Sequence, residues 1–122
     1  MVSRRLVGFW AALVALGGGA LAQKEIVVGV IENLTGPNAP IGIPRQNTLP
    51  LLEEHFKGGI AGYQVRFVLL DDRTDATVAA QNARKVVEQE RASVLIGSGA
   101  APAALAIYQV AAEAGVPLLV TS

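Results

Sequence analysis

The chain has 122 residues, 52% of them apolar and 16% charged, with ten basic and ten acidic side chains and no cysteine. That length allows one domain at most, and the composition supports a buried core and excludes a disordered chain. A zero net charge without a basic block argues against nucleic acid as a partner, and the lack of cysteine excludes disulfides, thiolate metal sites, a cysteine nucleophile and a lipid attached through cysteine.

Residues 1–22 stand apart from the rest. Arg4 and Arg5 form a positive start, Leu6 to Leu16 is an apolar stretch, and Gly17 to Gly19 loosens the chain before Ala20-Leu21-Ala22, an A-x-A pattern. This reads as a secretory signal peptide cut before Gln23. A membrane anchor is the weaker alternative, because Leu6 to Ala22 is only 17 residues and contains four glycines. The Arg-Arg pair leaves the twin-arginine export route open beside the general one. The remainder, from Gln23, carries eight basic and ten acidic residues.

From Gln23 onward strands and helices alternate. Ile26 to Ile31, IVVGVI, is a continuous apolar, β-branched run, as expected of a parallel strand buried on both faces. A turn-rich segment follows, and Arg45 to Phe56 reads as a helix with Leu49, Leu52 and Phe56 on one face. Pro50 conflicts with that, since an internal proline costs about 3 kcal/mol. The helix is therefore expected to begin near Thr48, with Pro50 in its first turn, or else to be kinked. Lys57 to Gly62, KGGIAG, is a stop signal. Tyr63 to Leu70 reads as a strand exposed on part of one face. Asp75 is a suitable cap for a helix carrying Val78, Ala79, Asn82, Val86 and Val87. Val94 to Ile96 is the third strand, Ala103 to Ala114 the third helix, ended by Gly115, and Pro117 to Val120 the fourth strand.

The order β-α-β-α-β-α-β implies an α/β, doubly wound parallel sheet with right-handed crossovers. With strand order 2-1-3-4, the switch point lies between strands one and three, and a ligand crevice is expected beyond their carboxyl ends. The loops there are Glu32 to Ile43 and Gly97 to Ala101. The second of these, GSGAAPAAL, opens a helix with no Ser, Thr, Asp or Asn cap. Ala101 is the expected cap and Pro102 the first helical residue. Bare amides at such an end attract a carboxylate or phosphate. The competing reading is that water or the Ser98 hydroxyl caps the helix while the small residues merely allow close packing.

Four segments carry a family resemblance: IVVGVIENLTGPNAPIG, KGGIAGYQVRFVLLDDRTD, ARKVVEQERASVLIGSGA and AAEAGVPLLV. In this order they resemble the N-terminal lobe of periplasmic branched-chain amino acid-binding proteins, the type I solute-binding proteins of ABC importers. The resemblance runs through nearly all of Glu25 to Ser122. It implies two α/β lobes closing on a small ligand, and docking of the closed form on a membrane permease. It further implies that the loop after the third strand holds the ligand's carboxylate with backbone groups and a serine hydroxyl. Ala101 stands in that serine's place. Ile41 matches an apolar wall against the ligand, and Ser122 a residue whose carbonyl takes the ligand's ammonium. The candidate ligand-binding residues are thus Ile41, Ser98, Gly99, Ala100, Ala101 and Ser122. A typical member is more than three times longer, so the chain is expected to be a fragment with an incomplete N-terminal lobe over residues 23–122 and an exposed apolar fourth strand.

The expected function is extracytoplasmic binding of a branched-chain amino acid, or a related small carboxylate or amide, for import. No catalytic residue, cofactor or metal site is expected. The alternatives are a ligand-sensing receptor domain of the same fold and a small α/β enzyme with a nucleotide or phosphate ligand. The enzyme would need a catalytic group on crevice loops that hold mostly Gly, Pro, Ala and small polar residues. GSGAAP departs from a dinucleotide loop because Pro102 replaces the last glycine and the loop follows the third strand. Thr35 and Ser98 have no evident base nearby. Asp71, Asp72 and Asp75 read as a solvated corner with a helix cap, His55 as a surface residue, and Glu32 as solvated, with a place facing the crevice as the alternative.

Overall fold

The computed structural model describes residues 24–121. The expected leader with its cleavage motif, and the candidate Ser122, lie outside the described residues. The elements are β1 (Glu25–Glu32), α1 (Ala39–Phe56), β2 (Gln64–Asp71), α2 (Ala76–Glu88), β3 (Val94–Gly97), α3 (Ala101–Ala114) and β4 (Leu118–Leu119). The four strands form one parallel sheet in the order β2-β1-β3-β4, the architecture and strand order expected.

Alternation along the strands divides the core in two. Val27 and Ile31 of β1, Val68 and Leu70 of β2 and Leu95 of β3 pack with α2 and α3 through Ala79, Ala83, Val86, Ala103, Ile107, Val110 and Ala111. The alanines bring these two helices close to the sheet. Gly29 belongs to the same close approach: a Cβ there would lie 2.4 Å from Val86 and 2.7 Å from Leu95. Asp75 caps α2 by accepting a hydrogen bond from Val78 N at 2.9 Å, and Gly115 ends α3 in the left-handed conformation. The opposite face is covered by α1, where Phe56 reaches Phe67 of β2. That cover stops short of the β4 edge, where Leu119 is 59% exposed.

Two helix starts differ from expectation. α1 begins at Ala39, well before Thr48, and runs through Pro44 and Pro50. Each internal proline deprives one carbonyl of its N–H partner. The two carbonyls belong to Pro40 and Gln46, both exposed, so water can take the place of the missing N–H groups. α3 begins at Ala101, so the cap is Ala100 and Pro102 is the second helical residue. Two acids were also misplaced. Glu32 and Asp72 are buried, not solvated.

Candidate ligand-binding site

The carboxyl ends of the strands carry the loops, as a parallel sheet requires. Residues 33–38 leave β1 and are held from β2 by Asp71. Its carboxylate accepts from Leu34 N at 3.0 Å, Thr35 N at 3.2 Å, Thr35 Oγ1 at 2.6 Å and Arg73 N at 2.8 Å. Partial burial pushes this carboxyl upward, but the Thr35 hydroxyl and the three amides outweigh it and hold it below the ordinary 3.8.

Beneath the loop after β3 lies a fully buried polar cluster of Asn33, Asp72 and Ser98. Asn33 Nδ2 donates to Asp72 Oδ1 and to Ser98 Oγ, each at 2.9 Å, and Ser98 Oγ donates to Asp72 Oδ2 at 2.5 Å. Thr74 N donates to Asp72 Oδ1 at 2.8 Å, and Ala100 N to Ser98 Oγ at 3.3 Å. One network therefore joins the ends of β1, β2 and β3 to the entry of α3.

A second cluster joins β1, α1 and the end of β4. Glu32 accepts from Arg45 Nη1 and Thr121 Oγ1, both at 3.0 Å, while Arg45 Nη2 donates to the Thr121 carbonyl. The Glu32 side chain is 1% exposed and that of Arg45 32%. These residues border a hollow of about 200 Å³ floored by Val30, Leu49 and Ile96. A hollow of about 190 Å³ also lies between α2 and α3, beside Arg84, Glu88 and Glu113. It sits near the carboxyl ends of those helices, away from the loops.

The candidate residues divide as follows. Ile41, Gly99 and Ala101 share one end of the sheet. A Cβ on Gly99 would lie 2.6 Å from Ile41 Cγ2 and 3.0 Å from Arg45 Nη1. Ile41 is 44% exposed, and Ala101 and Pro102 are exposed. Ala100 is buried as the cap, with no side-chain bond to offer. Ser98 is fully buried with its hydroxyl engaged by protein, so it supports the loop from below. Among the described residues, the Ala101 amide has no protein acceptor, whereas Ala104 N already donates to Ala100 O at 2.8 Å. The free donors are thus confined to the very start of the helix.

The sequence reading missed Glu32, Asn33, Arg45, Asp72 and Thr121. The available signal was position. Two polar residues, Glu32-Asn33, end a strand that is otherwise apolar, at the point where both sheet faces are still covered.

The periplasmic binding protein family profile matches residues 25–122. The chain belongs to this family. Membership implies an extracytoplasmic place. The chain is 32% identical over 104 residues to Leu/Ile/Val-binding protein homolog 7 of Brucella suis biovar 1, covering 84% of this chain and 26% of that protein. It is similar to the crystal structure of an extracellular ligand-binding receptor from Rhodopseudomonas palustris HaA2, at 41% identity and a TM-score of 0.73, with 80% of this chain and 26% of that one covered. It also resembles a solute-binding protein of an ABC transporter from Rhodopseudomonas palustris BisB5, solved with 3,4-dihydroxybenzoic acid. There the identity is 29% and the TM-score 0.73, with coverage of 79% and 26%. The chain thus spans about a quarter of the length of the relatives it matches.

Proposed function

We propose that residues 24–121 form part of one lobe of an extracytoplasmic solute-binding protein serving an ABC importer. The ligand is a branched-chain amino acid or a related small carboxylate or amide, and the facing wall of the cleft is supplied by residues outside these 122. The leader over residues 1–22 directs export to the periplasm, and a membrane permease receives the loaded protein. The observation that carries the reading is the uncapped start of α3 at Ala101, two residues after Gly99, which lies against the exposed Ile41. A carboxylate at Ala101 gains the partial positive charge of a 14-residue helix, and Ile41 offers apolar contact to the ligand's body. Printed names of relatives support the ligand class, one naming Leu, Ile and Val and another an aromatic acid.

The test is calorimetric titration of the natural protein that contains residues 24–121. The panel is leucine, isoleucine, valine, aromatic acids and short amides. Binding of at least one compound in the micromolar range or tighter is expected, and a flat response to the whole panel refutes the reading.

A further inference from the structure

We infer that Arg45 is a direct ligand-binding residue, whose guanidinium pairs with the acid group of a small carboxylate. The inference rests on the solute-binding reading above and names the charged contact at that site. α1 carries Arg45 to the carboxyl end of the sheet, where Nη1 lies 3.0 Å from the position a Cβ on Gly99 would take. Nη1 donates to Glu32 Oε2 at 3.0 Å, and Nη2 donates to the Thr121 carbonyl. A guanidinium has five N–H groups, so three stay unspent among the described residues. The Glu32 side chain is buried and that of Arg45 is one-third exposed. The part of this ion pair that reaches solvent is therefore the cation. Its two bonds to protein hold the planar fork in place, which lowers the ordering cost of gripping a carboxylate.

The surroundings of Arg45 suit a ligand. Asn33 Oδ1 is buried without a partner, 2.7 Å from the same Gly99 position. An unanswered acceptor beside unspent donors is unfinished bonding, which a closed packing contact would not leave. Arg45 also borders the hollow of about 200 Å³, whose apolar lining is Val30, Leu49, Leu52 and Ile96. Ile41 Cγ2 lies 2.6 Å from the Gly99 position. A carboxylate on Arg45 thus has an apolar surface within reach for its body, in the hollow or against Ile41. The Ala101 amide, free of protein acceptors among the described residues, opens α3 two residues after Gly99. The chemical class of ligand is a small acid with an aliphatic or aromatic body. Amino acids fall within that class, since Asn33 Oδ1 leaves an acceptor for a second, donor-bearing group.

The experiment titrates the natural protein that contains residues 24–121 with acid–amide pairs. Leucine, isoleucine, valine and 3-phenylpropanoate are each run against the primary amide of the same acid. The pairs are repeated on Arg45→Gln, on Arg45→Lys and on the double variant Glu32→Gln/Arg45→Gln, which leaves no buried carboxylate without its cation. Circular dichroism verifies that each variant is folded. In the wild type the acid is expected to bind about tenfold or more tightly than its amide. Arg45→Gln and the double variant should weaken the acid by about tenfold and change the amide by less than about threefold, with part of the loss recovered in Arg45→Lys. A purely structural role for Arg45 weakens acid and amide alike, and that result overturns the inference. Wild-type affinity that is equal within every pair, or higher for the amide, also overturns it and leaves the solute-binding reading standing. Failure of every acid and every amide to bind the wild type sinks the solute-binding reading itself.

Discussion

Asp72 offers the sharpest perturbation of the framework under the site. Its carboxylate is fully buried and accepts from Asn33 Nδ2 at 2.9 Å, Ser98 Oγ at 2.5 Å and Thr74 N at 2.8 Å. Asp72→Ala strands all three donors. Each buried donor left without a partner costs about 1–3 kcal/mol, so the loss is about 3 kcal/mol or more. Asp72→Asn keeps the volume and one oxygen, which still serves Asn33 and Thr74. Its new NH₂ faces Ser98 Oγ, whose two lone pairs already accept from Asn33 Nδ2 and Ala100 N. The new N–H finds no acceptor and the Ser98 hydroxyl loses its own, for a loss of about 1–3 kcal/mol at each. Urea unfolding of the natural protein, followed by circular dichroism, separates the two variants. With a slope of about 1–3 kcal/mol per molar, Asp72→Ala should lower the midpoint by roughly 1 M or more, and Asp72→Asn by clearly less. An alanine variant no less stable than the asparagine variant, or losses under about 0.5 kcal/mol for both, would refute the claim that the bonds to Asp72 hold this end of the sheet together.

Ala101→Ser adds a hydroxyl at the mouth of the anion seat and should tighten binding of a small carboxylate by about tenfold, read by calorimetry; no gain for any carboxylate would mean that the loop does not grip one. Gly97 sits at φ +143° with its virtual Cβ 1.9 Å from Ile31 O, while Gly58 has nothing within 4 Å. Thermal melts should therefore show Gly97→Ala destabilised by more than about 2 kcal/mol and Gly58→Ala changed by about 0.5 kcal/mol at most. The folded Asp71 carboxyl is held below its ordinary 3.8, so the bonds it makes stabilise the fold fully above that value and fade as pH falls through the lowered one. The stability difference between wild type and Asp71→Asn should be flat from roughly pH 5 to 8 and shrink below about pH 4; a difference that grows on acidification would contradict the assignment.

What the sequence made legible follows from periodicity. A run such as IVVGVI has one economical placement, a strand covered on both faces, and four such strands separated by helices leave little choice of topology. Asp75 was legible because a cap acts within three residues. The failures share a cause too. Glu32 and Asp72 look like surface acids because their partners are distant in the chain. Thr121 lies 89 residues from Glu32, and Ser98 lies 26 from Asp72. Composition and periodicity carry no trace of such pairings. In α1 the error ran the other way, for a local rule about proline was applied without knowing that the deprived carbonyls face water.

The two buried clusters differ in what they leave open, and that difference gives the site its character. Asn33, Asp72 and Ser98 bond one another, Thr74 N and Ala100 N, so they fix where the helix begins, while Asn33 Oδ1 is buried without a partner. Glu32, Arg45 and Thr121 close on one another in the same way but leave three N–H groups of the guanidinium unspent. Both clusters engage a carboxylate from within the protein, Glu32 through the Arg45 cation and Asp72 through neutral donors. With those acids answered from within the protein, the field at the loop mouth is set by the helix terminus and by the exposed edge of Arg45. Each favours negative charge.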